Sequence, residues 1–361
     1  MILLNDLKYI IETQVARYPK MQPQDVVKLV YQHVFGNGHM VSSRENSLDF
    51  LKKEYETVKF AHAGEDWSQV PFTEDIGNWY TRVNLLAVKD EEQLISLNDA
   101  FVASAELSGG SQEYFLSRLY FLRELASYGM FEFDEEDMAA YLEQYEKEGY
   151  PMVSHSGRYK EFYDPAYRVV DARYIRLFGL ITKIRHLMNE KDKVIIALDG
   201  KAASGKSTAA YLLSLIFDAS VIHMDDFFLP PEKRTRERYQ EPGGNVHYER
   251  FRDEVARYIK KKEDFSFRRF DCSIMDYGAK VEVEAKPLMI VEGAYSQHIE
   301  FRSMYDLKVF FDVDDAVQRE LIYQRDGAEM LEMFENVWIP LENKYFEHSE
   351  IKDKSDIVVE Y

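Results

Sequence analysis

The chain has one cysteine, Cys272, so no disulfide can form within it and no cysteine cluster can hold a metal. Such usage suits a reducing compartment, and a cytoplasmic location is the expectation. Long apolar runs are missing as well. None approaches the roughly 20 residues of a membrane span, and residues 1–15 interrupt their apolar positions with Asp6, Lys8 and Glu12, which leaves no signal-peptide core. Positive charge is in deficit: 45 Lys and Arg stand against 64 Asp and Glu, a formal net charge of −19. A surface of that sign repels phosphate backbones and anionic lipid, so neither nucleic acid nor a membrane is an expected partner. A small local basic pocket for one nucleotide is still compatible with it.

What is present is material for packed cores. Hydrophobic residues make up 46% and aromatics 14% of 361 residues, which argues against disorder and for two domains. Residues 1–188 read as a mostly α-helical domain. Pro23 suits a first helical position, and Val26, Val27, Val30 and Val34 recur at helical spacing until Gly36-Asn37-Gly38. Similar stretches follow at 46–57, 91–107, 112–127 and 135–147, with little strand-like alternation. A last amphipathic helix, about 171–189, ends in the polar Asn189-Glu190-Lys191-Asp192, the candidate boundary.

From residue 192 the pattern changes. Short apolar runs at 194–198, 220–224, 287–291, 307–313 and 357–359 alternate with helical patterns. Continuous apolar strands between helices predict an α/β domain, a parallel sheet with flanking helices, over 192–361. Ligands of such sheets bind beyond the carboxyl ends of the strands.

Beyond the first of these runs lies Gly200-Lys201-Ala202-Ala203-Ser204-Gly205-Lys206-Ser207, which matches the phosphate-binding P-loop pattern. Glycines let the backbone wrap phosphates with N–H groups turned inward, and the following helix start, with Thr208, adds positive potential. Lys206 is placed to reach the β- and γ-phosphates of ATP, and the Ser207 hydroxyl to ligate Mg²⁺. A Gly/Ala/Ser-rich turn before a helix is the bland alternative; by residue frequencies the full pattern arises by accident in about one chain in a hundred of this length.

Two further strand ends carry acids. His223-Met224-Asp225-Asp226-Phe227-Phe228 puts adjacent carboxylates near the phosphate loop, where they are costly unless they serve a cation or a proton. Asp225 is the candidate base for an attacking hydroxyl and a candidate metal ligand; Asp226 either contacts substrate or caps a helix. Leu288-Met289-Ile290-Val291-Glu292-Gly293 offers Glu292 as a Walker-B-like acid supporting Mg²⁺. After the strand at 307–313 comes a helix with Arg319 and Arg325, either lid arginines for the transferring phosphate or members of a solvated face beside Glu320, Asp326 and Glu329. Arg234, Arg236 and Arg238 form a local basic patch, and Arg234 either faces a phosphate-bearing substrate or solvates a loop. Residues 337–342, Val337 to Glu342, read as packing rather than chemistry.

Together the P-loop, the strand ending His-Met-Asp-Asp-Phe-Phe and the strand ending Val-Glu-Gly resemble the uridine kinase and nicotinamide riboside kinase group of P-loop kinases, over roughly 192–361. The resemblance implies ATP-dependent phosphorylation of a hydroxyl on a nucleoside-like small molecule. It also implies Asp225 acting on that hydroxyl and Glu292 associated with Mg²⁺. Arg269-Phe270-Asp271 loosely resembles the group's Tyr-Asp-Phe substrate loop, which makes Asp271 a substrate candidate. His247 stands where the group often has an aspartate on the ribose hydroxyls, and a histidine cannot clamp a diol as a carboxylate does.

In the helical half, His39 lies in the turn Phe35-Gly36-Asn37-Gly38-His39-Met40, and His155 lies between Ser154 and Ser156. With Arg82, Tyr167 and Arg168 they either line a pocket or serve turns and interfaces, and the latter is the expectation. Two other functions remain open: a nucleotide-gated regulatory protein whose output is the helical domain, and a kinase of a phosphorylated acceptor such as a nucleotide-sugar.

Overall fold

The valines after Pro23 belong to one of the chain's hydrophobic cores. In the computed structural model, which describes residues 2–37, 43–67 and 69–360, the chain forms two compact units, Met1–Phe178 and Gly179–Tyr361. His39, expected to serve a turn or interface rather than a pocket, lies outside the described residues.

The first unit runs α1 (Ile2–Arg17), α2 (Pro23–Phe35), α3 (Arg44–Ala61), β1 (Thr73–Gly77), β2 (Tyr80–Asn84), α4 (Glu91–Leu107), α5 (Gln112–Ser127), α6 (Glu135–Lys147), α7 (Gly157–Tyr163), β3 (Tyr167–Asp171) and α8 (Ala172–Arg176). Side-chain caps start several helices: Ser43 accepts from Asn46 N, Asp90 from Gln93 N, and Ser111 from Tyr114 N. Val26, Val27, Val30 and Val34 of α2 are buried with Phe115, Leu119 and Leu122 of α5 in one core. The unit is mostly helical, but β1, β2 and β3 form a three-stranded antiparallel sheet that the sequence pattern did not announce.

Helix α9 (Phe178–Glu190) begins at the division, which therefore falls at the start of this helix rather than after it. The second unit continues with β4 (Val194–Gly200), α10 (Lys206–Ile216), β5 (Ala219–His223), α11 (Arg236–Gln240), α12 (Tyr248–Phe251), α13 (Arg257–Lys261), β6 (Phe265–Asp271), β7 (Asp276–Val283), β8 (Leu288–Glu292), β9 (Leu307–Asp312), α14 (Asp315–Asp326), α15 (Ala328–Met333), α16 (Ile339–Ser349) and β10 (Ile357–Glu360). All five apolar runs are strands of one sheet, ordered β10-β9-β4-β8-β5, and every neighbouring pair is parallel. This is the expected α/β domain. An antiparallel hairpin of β6 and β7 is added to it.

The order places β4, which feeds the P-loop, at the centre. Parallel register then aligns the strand ends: Leu198 of β4 and His223 of β5 both pair with Glu292 of β8. Burial follows the pattern that announced the strands, since all five residues of β8 are buried.

Candidate functional site

The loop of residues 200–207 joins β4 to α10 through backbone that only certain residues accept. Gly200 has φ +137°, and a Cβ there would lie 2.1 Å from the carbonyl oxygen of Phe311 on β9. Gly205, with φ +91°, is the left-handed residue from which α10 starts. Lys201 is tied down by Val313 O at 2.9 Å and by Asp312 and Asp315, each at 3.0 Å. Lys206 is buried and donates to Gly200 O at 2.8 Å and Lys201 O at 2.7 Å, so its ammonium lies across the loop. Ser207 and Thr208 are exposed at the helix start.

The aligned strand ends bring the next groups in. Glu292 is buried; one oxygen accepts from Ser207 Oγ at 3.0 Å, and the other is in a short hydrogen bond with His223 Nδ1. That bond, more than any other contact, raises the His223 pKa against the opposing effect of burial. The sequence reading gave His223 no role; its cross-strand pairing with Glu292 would have revealed it had the register been known.

Asp225 follows in a 3₁₀ turn, Met224–Phe227. Its carboxyl pKa is raised, first by desolvation and then by Glu292, while Lys206 and His223 act the other way. Because Asp225 is exposed by accessible area, the desolvation is that of a concave surface, and the group stays reachable from solvent. Asp226 is also raised, mainly by burial, with Arg269 of β6 opposing from 3.8 Å.

Two buried acids that sequence reasoning missed support the loop from below. Asp199, fully buried, accepts from the N–H groups of Gly200 (2.7 Å), Tyr295 (3.1 Å) and Gln297 (2.8 Å) and from the Tyr345 hydroxyl (2.8 Å). Glu342 of α16 accepts from Ala202 N at 3.0 Å, and Gln318 of α14 donates to Ala202 O at 3.0 Å. Burial pushes the Glu342 carboxyl up to about 7, with Lys206 and the Ala202 N–H opposing. The packing role expected for residues 337–342 is thus incomplete: Glu342 touches the phosphate loop itself. Trp338, in the same stretch, lies 6.1 Å from the ring of Phe228.

The remaining candidates are not gathered at this point. Arg234 donates to Leu229 O at 2.8 Å and lies over the Phe270 ring at 5.8 Å. Asp271 accepts from Ser273 N and Oγ at 2.8 and 2.6 Å, bonds that close the turn between β6 and β7. Arg325 is exposed and paired with its neighbour Asp326 at 2.7 Å, as Arg319 is with Glu335 at 2.9 Å. His247 is half-buried with Tyr277 OH 3.4 Å from Nδ1, and its pKa is lowered, chiefly by burial. Arg238 holds Glu249 at 2.7 and 2.8 Å and two backbone carbonyls, a structural role.

No family profile matches the chain, and no curated protein is significantly similar to it. Among solved structures, a possible uridine kinase from Bacillus stearothermophilus is similar over 50% of this chain and 98% of its own, with 20% identity and a TM-score of 0.38. A protein of Thermus thermophilus is similar over 47% of this chain and 90% of its own, with 16% identity and a TM-score of 0.30. No helix among the described residues is long and apolar enough to cross a membrane.

Proposed function

We propose that the unit Gly179–Tyr361 is an ATP-dependent kinase that transfers the γ-phosphoryl group to a hydroxyl of a small nucleoside-like acceptor. The observation that carries this reading is the convergence of Ser207, Glu292 and His223 at aligned strand ends, with Asp225 one turn further on and Lys206 across the loop. Nucleotide phosphates lie along residues 200–208, with Lys206 exchanging its two loop carbonyls for β- and γ-oxygens.

The donor set fits Mg²⁺ as P-loop proteins hold it. Ser207 Oγ and Glu292 lie 3.0 Å apart, and no cluster of three or more His, Cys, Asp or Glu side chains suited to a metal exists among the described residues. Ser207 and Glu292 would hold the cation, and a P-loop Mg²⁺ needs no such cluster of protein ligands. When bound, the metal neutralises charge on the phosphates. His223 fixes the orientation of the Glu292 carboxylate behind Ser207.

Asp225 takes the acceptor's proton. The acceptor oxygen forms a bond to the γ-phosphorus as the bond between that phosphorus and the bridging β–γ oxygen breaks, and the electron pair leaves with ADP. A carboxyl with a raised pKa is a better base near neutrality than an ordinary one. Arg325 is the lid candidate for the transferring phosphate, and it is paired with Asp326 at 2.7 Å. The test is ATP consumption by the full chain against a panel of nucleosides, vitamins and sugars, with Asp225→Asn as control. Acceptor-dependent consumption that the control abolishes is expected; undiminished turnover in the control would remove Asp225 from this role.

A further inference from the structure

The unit Met1–Phe178 contains a cavity of about 550 Å³, within the usual size range of small-molecule sites. His155, Tyr167 and Arg168, expected to serve turns or interfaces, lie on its wall. One side of that wall is held by a hydrogen-bond chain whose every direction is fixed by the charges at its ends.

Asp25 is fully buried and accepts from Gln22 N (2.9 Å), Ser156 N (2.9 Å), Ser156 Oγ (2.6 Å) and His155 Nδ1 (3.0 Å). Burial acts to raise its pKa, but the bonds from His155, Ser156 and Gln22 outweigh it and the net shift is downward, so the carboxylate is charged. His155 therefore carries its proton on Nδ1. Burial holds its pKa down at about 4, so Nε2 is bare and accepts the Tyr167 hydroxyl at 2.6 Å. The Tyr167 oxygen accepts from Gln32 Nε2 at 3.2 Å, and Gln32 Oε1 accepts from Arg82 at 3.1 and 2.8 Å. Arg82 is only 2% exposed. The chain thus runs from a buried cation to a buried anion through three wall residues. Buried polar networks of this kind are costly unless complete, and complete ones fix geometry.

Among the described residues of its lining, one cationic side chain has no ion pair. Arg168 is paired with Glu54 at 2.6 Å, and His155 is neutral. Lys28 has a carbonyl, Val153 O, at 2.9 Å, and no carboxylate within ion-pair distance among the described residues. Its pKa is lowered to about 8, mainly by burial. Asn37, also on the wall, is 2% exposed and donates Nδ2 to Phe101 O; its Oδ1 is buried and has no hydrogen-bond partner among the described residues. Tyr31, Phe50, Phe101 and Tyr167 are the aromatic residues of the cavity lining.

From this we infer that the helical unit binds a small aromatic monoanion in this cavity, with Lys28 as the charge partner. All the residues that line it belong to the unit Met1–Phe178.

The test titrates the full chain with indole-3-acetate, which has a ring N–H and one carboxylate, and with neutral indole-3-acetamide, by calorimetry. Saturable one-to-one binding of the acid, at least about tenfold tighter than the amide, is expected from a charge-assisted contact. Lys28→Met should remove that preference, Lys28→Arg should restore it, and Lys206→Ala should leave it unchanged. Should Lys28→Met fail to fold, Phe50→Ala, at a 70% exposed ring, must weaken acid and amide alike. Absence of saturable binding by either probe, equal binding of acid and amide, or loss of binding in Lys206→Ala would each overturn the assignment.

Discussion

Glu342→Gln offers a perturbation whose sign and size follow from one contact. The wild-type carboxyl is buried under the phosphate loop, accepts the Ala202 N–H, and has its pKa raised from 4.5 to about 7. Between those values the folded protein holds a proton that the unfolded chain has released. Stability therefore falls as pH rises through the window, and the deficit is complete above it. A shift of this size corresponds to about 3 kcal/mol. Glutamine keeps an acceptor for Ala202 N but has no proton to lose. The variant should match wild type near pH 4 and exceed it by up to about 3 kcal/mol at pH 8.5. Asp199 and Asp225, whose charges act on Glu342, titrate in both proteins, so the difference reports residue 342 together with its coupling to them. Urea-dependent hydrogen exchange of peptides from β4 and β8 reads the unfolding of this unit separately from the first. A difference that does not change with pH, or a variant less stable at pH 8.5, would refute the reasoning.

Other outcomes follow from the same contacts. Lys206→Ala should weaken ATP binding roughly 10- to 150-fold, the worth of a charge-assisted contact of about 1.5–3 kcal/mol, as read by calorimetry. Gly200→Ala should destabilise the second unit by more than about 1 kcal/mol, since its Cβ would meet Phe311 O at a φ closed to alanine; urea denaturation checks this. The raised His223 pKa means that its pairing with Glu292 stabilises the fold fully below about pH 6.5 and is lost as pH rises through the folded value. His223→Gln should accordingly cost more stability at pH 6 than at pH 9. Arg325→Ala, at an exposed position, should leave stability within about 0.5 kcal/mol but cut turnover by roughly 10³ or more; equal turnover would leave the arginine a surface residue.

What was legible in the sequence had a local signature. The five parallel strands announced themselves as apolar runs because both faces of the sheet are covered, and the P-loop is eight contiguous residues. The antiparallel strands had no such signal. β1 is Thr-Glu-Asp-Ile-Gly, with only Ile76 buried, and β2 buries Arg82 where alternation would call for an apolar residue. In the β6–β7 hairpin Phe265 and Phe267 point inward, but the register shifts between Arg268 and Phe270, which breaks the period-two pattern. The site divides the same way. Lys206, Ser207, Asp225 and Glu292 lie in strand-end motifs, whereas Glu342 meets Ala202 across 140 residues of chain and gives no local sign of it. Asp271 and Arg325 show the converse, since a charged residue in a motif can be engaged by its immediate neighbours, Ser273 and Asp326.

The central claim is transfer to a hydroxyl, and the fate of the γ-phosphorus tests it most directly. Phosphorus NMR of the full chain with ATP, Mg²⁺ and the acceptor panel should show a new phosphomonoester resonance growing in step with ADP. That resonance should fall by roughly 10²–10⁴ in rate in Asp225→Asn. ADP accompanied only by inorganic phosphate, or bound ATP that is never turned over with any acceptor, would contradict it and favour a nucleotide-gated protein instead.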